Sequence, residues 1–239
     1  MDKKEVGLNE FGQPIGFDMQ AWQACPRPAL MRLNGRFCRL EPLTVEHTAD
    51  LFDAFQAPGS DGMWTYMPYG PFETIEELEA TVAWAVAQDD PLFYAIVAKD
   101  SDRAVGMASY MRIHEAVGVL EVGHIAFAPV LQKTAAATEA MYLMMRHVFD
   151  DLGYRRYEWK CDSLNAPSRA ASMRFGFQFE GVFRQHLMYK GRNRDTAWFS
   201  LLDHEWPARK AAFEAWLAHE NFTADGQQIR SLKELSEGL

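Results

Sequence analysis

The residues whose types and spacing speak most directly of chemistry lie at 119–138 and 165–168. The segment VLEVGHIAFAP (119–129) alternates as a strand should, and Pro129 stops it. A helix begins within a few residues, among Thr134, Ala135, Ala136, Ala137 and Thr138. The first turn of a helix carries unpaired backbone N–H groups and the positive end of the dipole. Small side chains there let a diphosphate come close, and Gln132 and Lys133 at the lip are an amide and a cation suited to phosphate oxygens. A plain capped helix, with alanine chosen for propensity, explains the same residues equally well. Asn165 precedes a second, short helix that it would cap, with Ser168 soon after.

Three titratable side chains on strands are candidate bases: Glu121, His124 and His186. On an alternating strand Glu121, Gly123, Ile125 and Phe127 share one face and His124 takes the other. Glu121 and His124 therefore serve one substrate only if the strand bulges. A lone histidine on a strand is more often structural than catalytic.

The elements that must position these groups follow from periodicity. RFCRLEPL (36–43), LFYAIVAK (92–99), AVGMASYMRI (104–113), RRYEWKC (155–161), FQFEGVFRQHLMYK (177–190) and DTAWFSLL (195–202) read as strands. Thr44 is the expected cap of a helix whose stripe is Val45, Ala49, Phe52 and Phe55. Thr74 opens a second helix with Ile75, Leu78, Val82 and Ala85 on one face. Ala137, Met141, Met144, Met145, Val148 and Leu152 mark a third, closed by Gly153. Asn165 to Phe175 is a short helix, Gly191-Arg192-Asn193 a hairpin turn, and Trp206, Phe213, Trp216 and Leu217 ride a last amphipathic helix. The order predicts one mixed α/β sheet, with the strands of the 119–161 unit parallel or slightly splayed. Residues 1–34 are expected to form an arm on the domain, 35–204 the domain itself, and 205–239 a C-terminal helix and polar tail.

The chain has 239 residues, 48% hydrophobic and 13% aromatic, enough for one core of ordinary size. Its net charge of −9 argues against a general nucleic-acid binder, which needs a basic stripe. Cys25, Cys38 and Cys161 are odd in number and lack metal-ligand spacing. The opening MDKKEVGLNEFGQPIG has no apolar run of a signal peptide, and no stretch approaches the ~18–20 apolar residues of a membrane helix. A cytoplasmic protein without metal, membrane or nucleic-acid partner is the expectation.

Four ordered segments then carry a resemblance. Gln132-Lys133-Thr134-Ala135-Ala136-Ala137 resembles the acetyl-CoA pyrophosphate loop of GNAT N-acetyltransferases, Q/R-x-x-G-x-G/A, with Ala135 where the pattern has glycine. Asn165-Ala166-Pro167-Ser168 through Phe175-Gly176-Phe177 resembles the segment flanking the pantetheine arm. Phe179-Glu180-Gly181-Val182-Phe183-Arg184 and Gly35–Leu43 look like strands of the branch similar to ribosomal-protein N-terminal acetyltransferases. Together they span about 35–203 in order. The resemblance implies a GNAT fold: a twisted, mostly antiparallel sheet of about 6–7 strands, helices on both faces, and a central splayed parallel pair. It implies an N-acetyltransferase using acetyl-CoA as co-substrate without a metal, an amine acceptor, and a homodimer.

It also implies roles. Ile125, Ala126 and Phe127 join Gln132–Thr138, Asn165 and Ser168 as cofactor contacts, and Ser168 is the candidate proton donor to the thiolate. Glu121, eleven residues before Gln132, has the spacing of the catalytic glutamate in some histone-type members and is ranked ahead of His124 and His186. Leu187 stands where some relatives of this branch carry their glutamate. Trp64, Tyr66 and Met67, in an aromatic loop between the first two helices, are either a core plug or an acceptor lid. Trp206, Phe213 and Trp216 are packing residues or, if exposed, a dimer patch. The competing readings are a CoA-binding regulatory module without turnover and a structural partner protein.

Overall fold

A computed structural model describes residues 6–237. Within the arm, β1 (Gly7–Leu8) and β2 (Pro14–Ile15) pair only with each other. The other strands form one sheet of eight. They are β3 (Leu33–Asn34), β4 (Cys38–Pro42), β5 (Leu92–Ala98), β6 (Arg103–His114), β7 (Val119–Phe127), β8 (Arg156–Asp162), β9 (Gln178–Tyr189) and β10 (Arg192–Leu202). Their order is β3-β4-β5-β6-β7-β8-β10-β9. The strand beyond the expected number is β3, where the end of the arm pairs with β4.

Every pair in this sheet is antiparallel except β7 with β8. The chain leaves β7, crosses over through α3 (Ala135–Arg146) and returns as β8, so the two strands run the same way. They stay in register from Val119 opposite Arg156 to Val122 opposite Trp159. Beyond Val122 they part, which leaves the edge of β7 open at Gly123–Phe127.

A bulge lies at the same place. Met107 pairs with Ala126 and Ser109 with Gly123, so two steps along β6 answer three along β7. His124 takes a left-handed φ of 51° there. The extra residue changes the parity of β7. Leu120 and Val122 face one core, Ile125 and Phe127 continue on that face, and Ala126 and Ala128 face the other.

The two faces are covered differently. One carries α3, α4 (Ala166–Arg174) and α5 (Trp206–Leu217), with Met141, Met144, Met145, Tyr157, Phe199 and Phe213 in its core. Trp206, Phe213 and Trp216 are buried there, so they are packing residues. The other face carries α1 (Thr48–Phe55) and α2 (Ile75–Val86) over β5, β6 and the end of β7. The buried stripe of α1 is Thr48, Leu51 and Phe55, while Val45 is exposed, because a 3-10 turn at Val45–His47 rotates the helix relative to the expected stripe. A short α6 (Leu232–Glu237) ends the described chain.

Local signals landed where the residues predicted. Thr74 caps α2, accepting a hydrogen bond from the Glu77 N–H. Thr134 caps α3 and Asn165 caps α4. The hairpin turn is Lys190-Gly191, both left-handed, so Arg192 and Asn193 belong to β10 rather than to the turn.

Candidate active site

The first part of the site is the mouth between β7, α3 and α4. The chain turns after Ala128, with Leu131 and Gln132 N–H both donating to its carbonyl at 2.9 and 3.1 Å. Lys133 supplies the left-handed step, φ 62°. Thr134 Oγ1 then accepts from Ala137 N–H at 3.1 Å. That leaves the Ala135 and Ala136 N–H groups in the open first turn, on half-buried residues. Ala135 is the first helical residue, so the position that relatives fill with glycine needs no left-handed backbone here. The Gln132 side-chain amide donates to the Phe127 carbonyl at 2.8 Å, which leaves its oxygen and the Lys133 ammonium at the lip.

Thr138 and Glu139 are buried. The Glu139 carboxylate accepts from the N–H groups of Arg36, Phe37 and Cys38 at 2.6, 2.6 and 2.9 Å, tying α3 to the start of β4. Gly35 is required beside it, because any Cβ would collide with that carboxylate. Arg174 reaches back from α4 to Thr138 Oγ1 at 3.2 Å and has no carboxylate partner among the described residues. Sequence reasoning gave Thr138 and Arg174 no joint role; only the packing of α4 beside α3 brings them together.

On α4, Asn165 Oδ1 accepts from Ser168 N–H at 3.1 Å. The Trp159 indole N–H donates to Ser168 Oγ at 3.0 Å. An indole N–H only donates, so this bond does not use the hydroxyl proton of Ser168, whose other neighbour is the Cys161 sulfur. Burial raises the Cys161 thiol beside it, which keeps that sulfur protonated and inert.

The second part is a charged floor on the opposite face. The bulge turns Glu121, Gly123 and His124 to one side, so the expected conflict of parity is removed. Glu121 is 3% exposed and meets Arg112 Nη1 at 2.7 Å and Lys160 Nζ at 2.8 Å. From Lys160 the ion pairs continue to Glu158 (2.7 Å), from Glu158 to Arg156 (2.7 Å), and from Arg156 to Glu180 through two hydrogen bonds. Ser200 Oγ donates to Glu180 at 2.7 Å, and the Lys160 ammonium rests 3.8 Å above the Trp198 ring. Six alternating charges thus form one ladder across β6, β7, β8 and β9.

His124 lies in an aromatic box. Its ring stacks on Tyr69, with centroids 5.7 Å apart, and packs against Phe93 and Trp84. Its Nδ1 is hydrogen-bonded to the Tyr69 hydroxyl at 3.1 Å. Burial, helped by the charge of Arg112, pulls its pKa down to about 4, so the imidazole is neutral at physiological pH. His186 sits apart on β9, its Nδ1 3.0 Å from Thr196 Oγ1, and Phe183 packs edge-on against it. No hydrogen bond or ring contact among the described residues joins His186 to Glu121 or His124. Two hollows open along this edge, one of ≈ 270 Å³ lined by Arg156, Glu180, Gly181, Phe183 and Trp198, the other of ≈ 760 Å³ around His186 and Asp195.

The aromatic loop divides into plug and wall. Trp64 is 1% exposed and packs edge-on against Phe55 and Phe72, so it is a core plug and not an acceptor contact. Tyr66 and Met67 are half-buried, and the Tyr66 hydroxyl donates to the Leu164 carbonyl at 3.1 Å. Lys190, at the tip of the β9–β10 hairpin, donates to the carbonyls of Trp64, Tyr69 and Gly70. Arg192 donates to the Thr65 carbonyl at 2.8 Å. The loop is thereby held over the floor at both ends.

One carboxylate on this floor was not among the expected residues. Asp162, at the end of β8, is 5% exposed and accepts from Leu164 N–H at 2.9 Å and from the Tyr189 hydroxyl at 2.8 Å. In sequence it looks like an ordinary turn residue before a helix.

Residues 38–178 match the family described as Acetyltransferase (GNAT) domain. The structure is similar to that of a GCN5-related N-acetyltransferase from Brucella melitensis, 48% identical, with a TM-score of 0.90 over 92% of this chain and 100% of that one. It is also similar to a probable acetyltransferase (GNAT family) from Chromobacterium violaceum ATCC 12472, 44% identical, with a TM-score of 0.75 over 82% of this chain and 98% of that one. An uncharacterized N-acetyltransferase p20 of Bacillus licheniformis is 30% identical over 113 residues, which span 47% of this chain and 63% of that protein.

Proposed function

The chain belongs to the GNAT acetyltransferase family, and we propose that it moves an acetyl group from acetyl-CoA to a primary amine by direct attack in a ternary complex. The observation that carries this reading is the open first turn of α3 at the point where β7 and β8 part. There the N–H groups of Ala135 and Ala136 open the first turn of α3 and Lys133, a cation, stands two residues before it, a start suited to a diphosphate. The unpaired edge of β7 at Ile125, Ala126 and Phe127 offers backbone groups to the pantetheine amides as a neighbouring strand would. Arg174 and Asn165 close the other side. When bound, acetyl-CoA supplies the activated acyl group and the leaving thiol.

Transfer needs a neutral amine, a donor for the oxyanion and a proton for the thiolate. Ser168, its oxygen accepting from Trp159 and its proton shared with nothing stronger than the Cys161 sulfur, suits the last role. The bulge at His124–Ile125 takes a backbone group out of the ladder and suits the second. Glu121 is ill-suited to the first: taking a proton there would give up its buried ion pair with Lys160 and a second with the half-exposed Arg112. It is a positioning residue of the ladder. His124, depressed to about 4 and bonded to Tyr69, is a poor base as well. The acceptor is an amine on a protein N-terminus or a small molecule.

Titration calorimetry with acetyl-CoA and CoA, followed by a thiol-release assay over amines, peptides and amino acids, tests this. Absence of binding would overturn it. The encumbered Glu121 and His124 also favour a second reading, a CoA-binding module without turnover. Binding with no thiol release from any amine would establish that reading in place of the first.

A further inference from the structure

Asp162 stands out from every other carboxylate on the floor. Glu121, Glu158 and Glu180 are each ion-paired, and their charges close on Arg112, Lys160 and Arg156. Asp162 is as buried as Glu121 and Glu158, yet no cation among the described residues lies within ion-pair distance. Its partners are neutral: one N–H on Oδ1 and one phenol on Oδ2. Each oxygen therefore keeps a lone pair without a donor. The charged and titratable groups facing this corner are Lys160 on the same strand, His186 and Tyr189 on β9, Arg192 and Arg194 on β10, and Arg169 on α4. Lys160 is committed to Glu121 and Glu158, Arg192 to the Thr65 carbonyl, and Arg169 to the Ser163 carbonyl. Arg194 and His186 both bond Thr196 Oγ1.

Its place on β8 matters equally. Tyr157, Trp159 and Cys161 face the core under α3, so Arg156, Glu158, Lys160 and Asp162 face the floor. Asp162 is one pleat repeat past Lys160, about 6.6–6.8 Å along the strand, on the stretch where β8 has left β7 and no longer pairs with it. Asn165 and Ser168, on the cofactor side, follow within six residues. Tyr66, on the overhanging loop, bonds Leu164 two residues away.

We infer that Asp162 is the residue that receives the acceptor amine and takes its proton. The inference rests on the acetyltransferase reading of the same site. A buried carboxylate without a cation is costly and calls for one. An ammonium docking there is desolvated together with it, and a dry pair favours the neutral amine and neutral acid over two buried charges. One N–H bond of the ammonium breaks, its proton goes to an Asp162 oxygen, and the nitrogen keeps the electron pair. That pair then bonds the acetyl carbon as the carbon–sulfur bond breaks; the thiolate takes the Ser168 proton, and the second N–H proton of the acylated nitrogen passes to Ser168 Oγ, leaving a neutral amide, a neutral thiol and a restored hydroxyl. The ladder leaves Glu121 unable to do this, because its charge is already neutralised twice.

The test compares wild type with Asp162→Asn and Tyr189→Phe, using whichever amine releases thiol from acetyl-CoA in the panel assay. Asp162→Asn keeps an oxygen for Leu164 N–H and is expected to lower kcat/KM about 100-fold or more at neutral pH, within the range of a general base. Its deficit should shrink at high pH, as free amine accumulates, while acetyl-CoA binding stays within about twofold of wild type. Tyr189→Phe removes a donor that favours the charged carboxylate, so the acid limb of kcat/KM should move to higher pH. Unchanged rate and pH profile in both variants, or parallel loss of acetyl-CoA binding and rate, would overturn the assignment. A wild type that binds no acetyl-CoA sinks the acetyltransferase reading first and this one with it.

Discussion

The mouth at the start of α3 and the charged floor on β6, β7, β8 and β9 lie on opposite sides of one sheet and are assembled in opposite ways. The mouth is made from residues close in the chain: Gln132 to Ala137, and Asn165 with Ser168. Its caps and turns reach at most four or five residues, and longer contacts such as Trp159 with Ser168 and Arg174 with Thr138 only brace them. The floor joins Arg112, Glu121, Arg156, Glu158, Lys160 and Glu180, which meet only through strand pairing. The mouth exposes backbone N–H groups of Ala135 and Ala136, so side-chain identity there is loosely constrained. On the floor each charge depends on its neighbours, and a single change propagates.

That contrast can be broken. The largest effect is expected from Lys160→Met, which leaves Glu121 and Glu158 buried with one cation fewer. The expected loss is about 3–5 kcal/mol of folding stability in urea denaturation, with acetyl-CoA affinity unchanged in the folded fraction. A large loss of affinity would mean that the two sides of the sheet are not separable.

Next in size is a pH effect on the floor. His124 has its pKa lowered from 6.5 to about 4 on folding. Below 6.5 the unfolded chain therefore binds a proton that the folded one refuses, so stability falls as pH drops from 6.5 towards 4. The depressed group contributes up to ~3 kcal/mol across that window. His124→Gln should flatten the difference between denaturation curves at pH 7 and pH 4.5; an equally steep variant would refute it.

Smaller changes belong to the mouth. Ser168→Ala should reduce kcat about 10–100-fold and leave the acetyl-CoA dissociation constant unchanged in calorimetry. Equal losses in both would make Ser168 a binding residue. The smallest effect is expected from Ala135→Gly. Ala135 already has helical backbone, so restoring the glycine should alter affinity by less than about threefold and cost about 0.5–1 kcal/mol of stability. A tenfold tighter complex would mean that the alanine methyl crowds the diphosphate.

Much of the fold was legible because its signals are local. The alternation of 92–99 and 104–113, the caps Thr74, Thr134 and Asn165, and the stops at Pro129 and Gly176 need only neighbours to act. The stripe of α1 was misplaced because a 3-10 turn shifts its phase, and periodicity assumes a constant 3.6. The aromatic loop was left open between plug and lid, and burial divided it residue by residue: Trp64 inside, Tyr66 and Met67 along the wall.

By itself, then, the sequence determined where most helices begin, which segments are strands, and that a helix starts among small residues soon after Pro129. Those outcomes depend on backbone groups and side chains within a turn of each other. The tertiary structure alone decided the rest. It placed the bulge that turns His124 to the side of Glu121, bound Glu121 between Arg112 and Lys160, and set Glu139 against three N–H groups a hundred residues away. It also left Asp162 buried without a cation. A carboxylate's chemistry depends on which charges lie within a few ångströms of it, and that distance is set by strand register across the sheet.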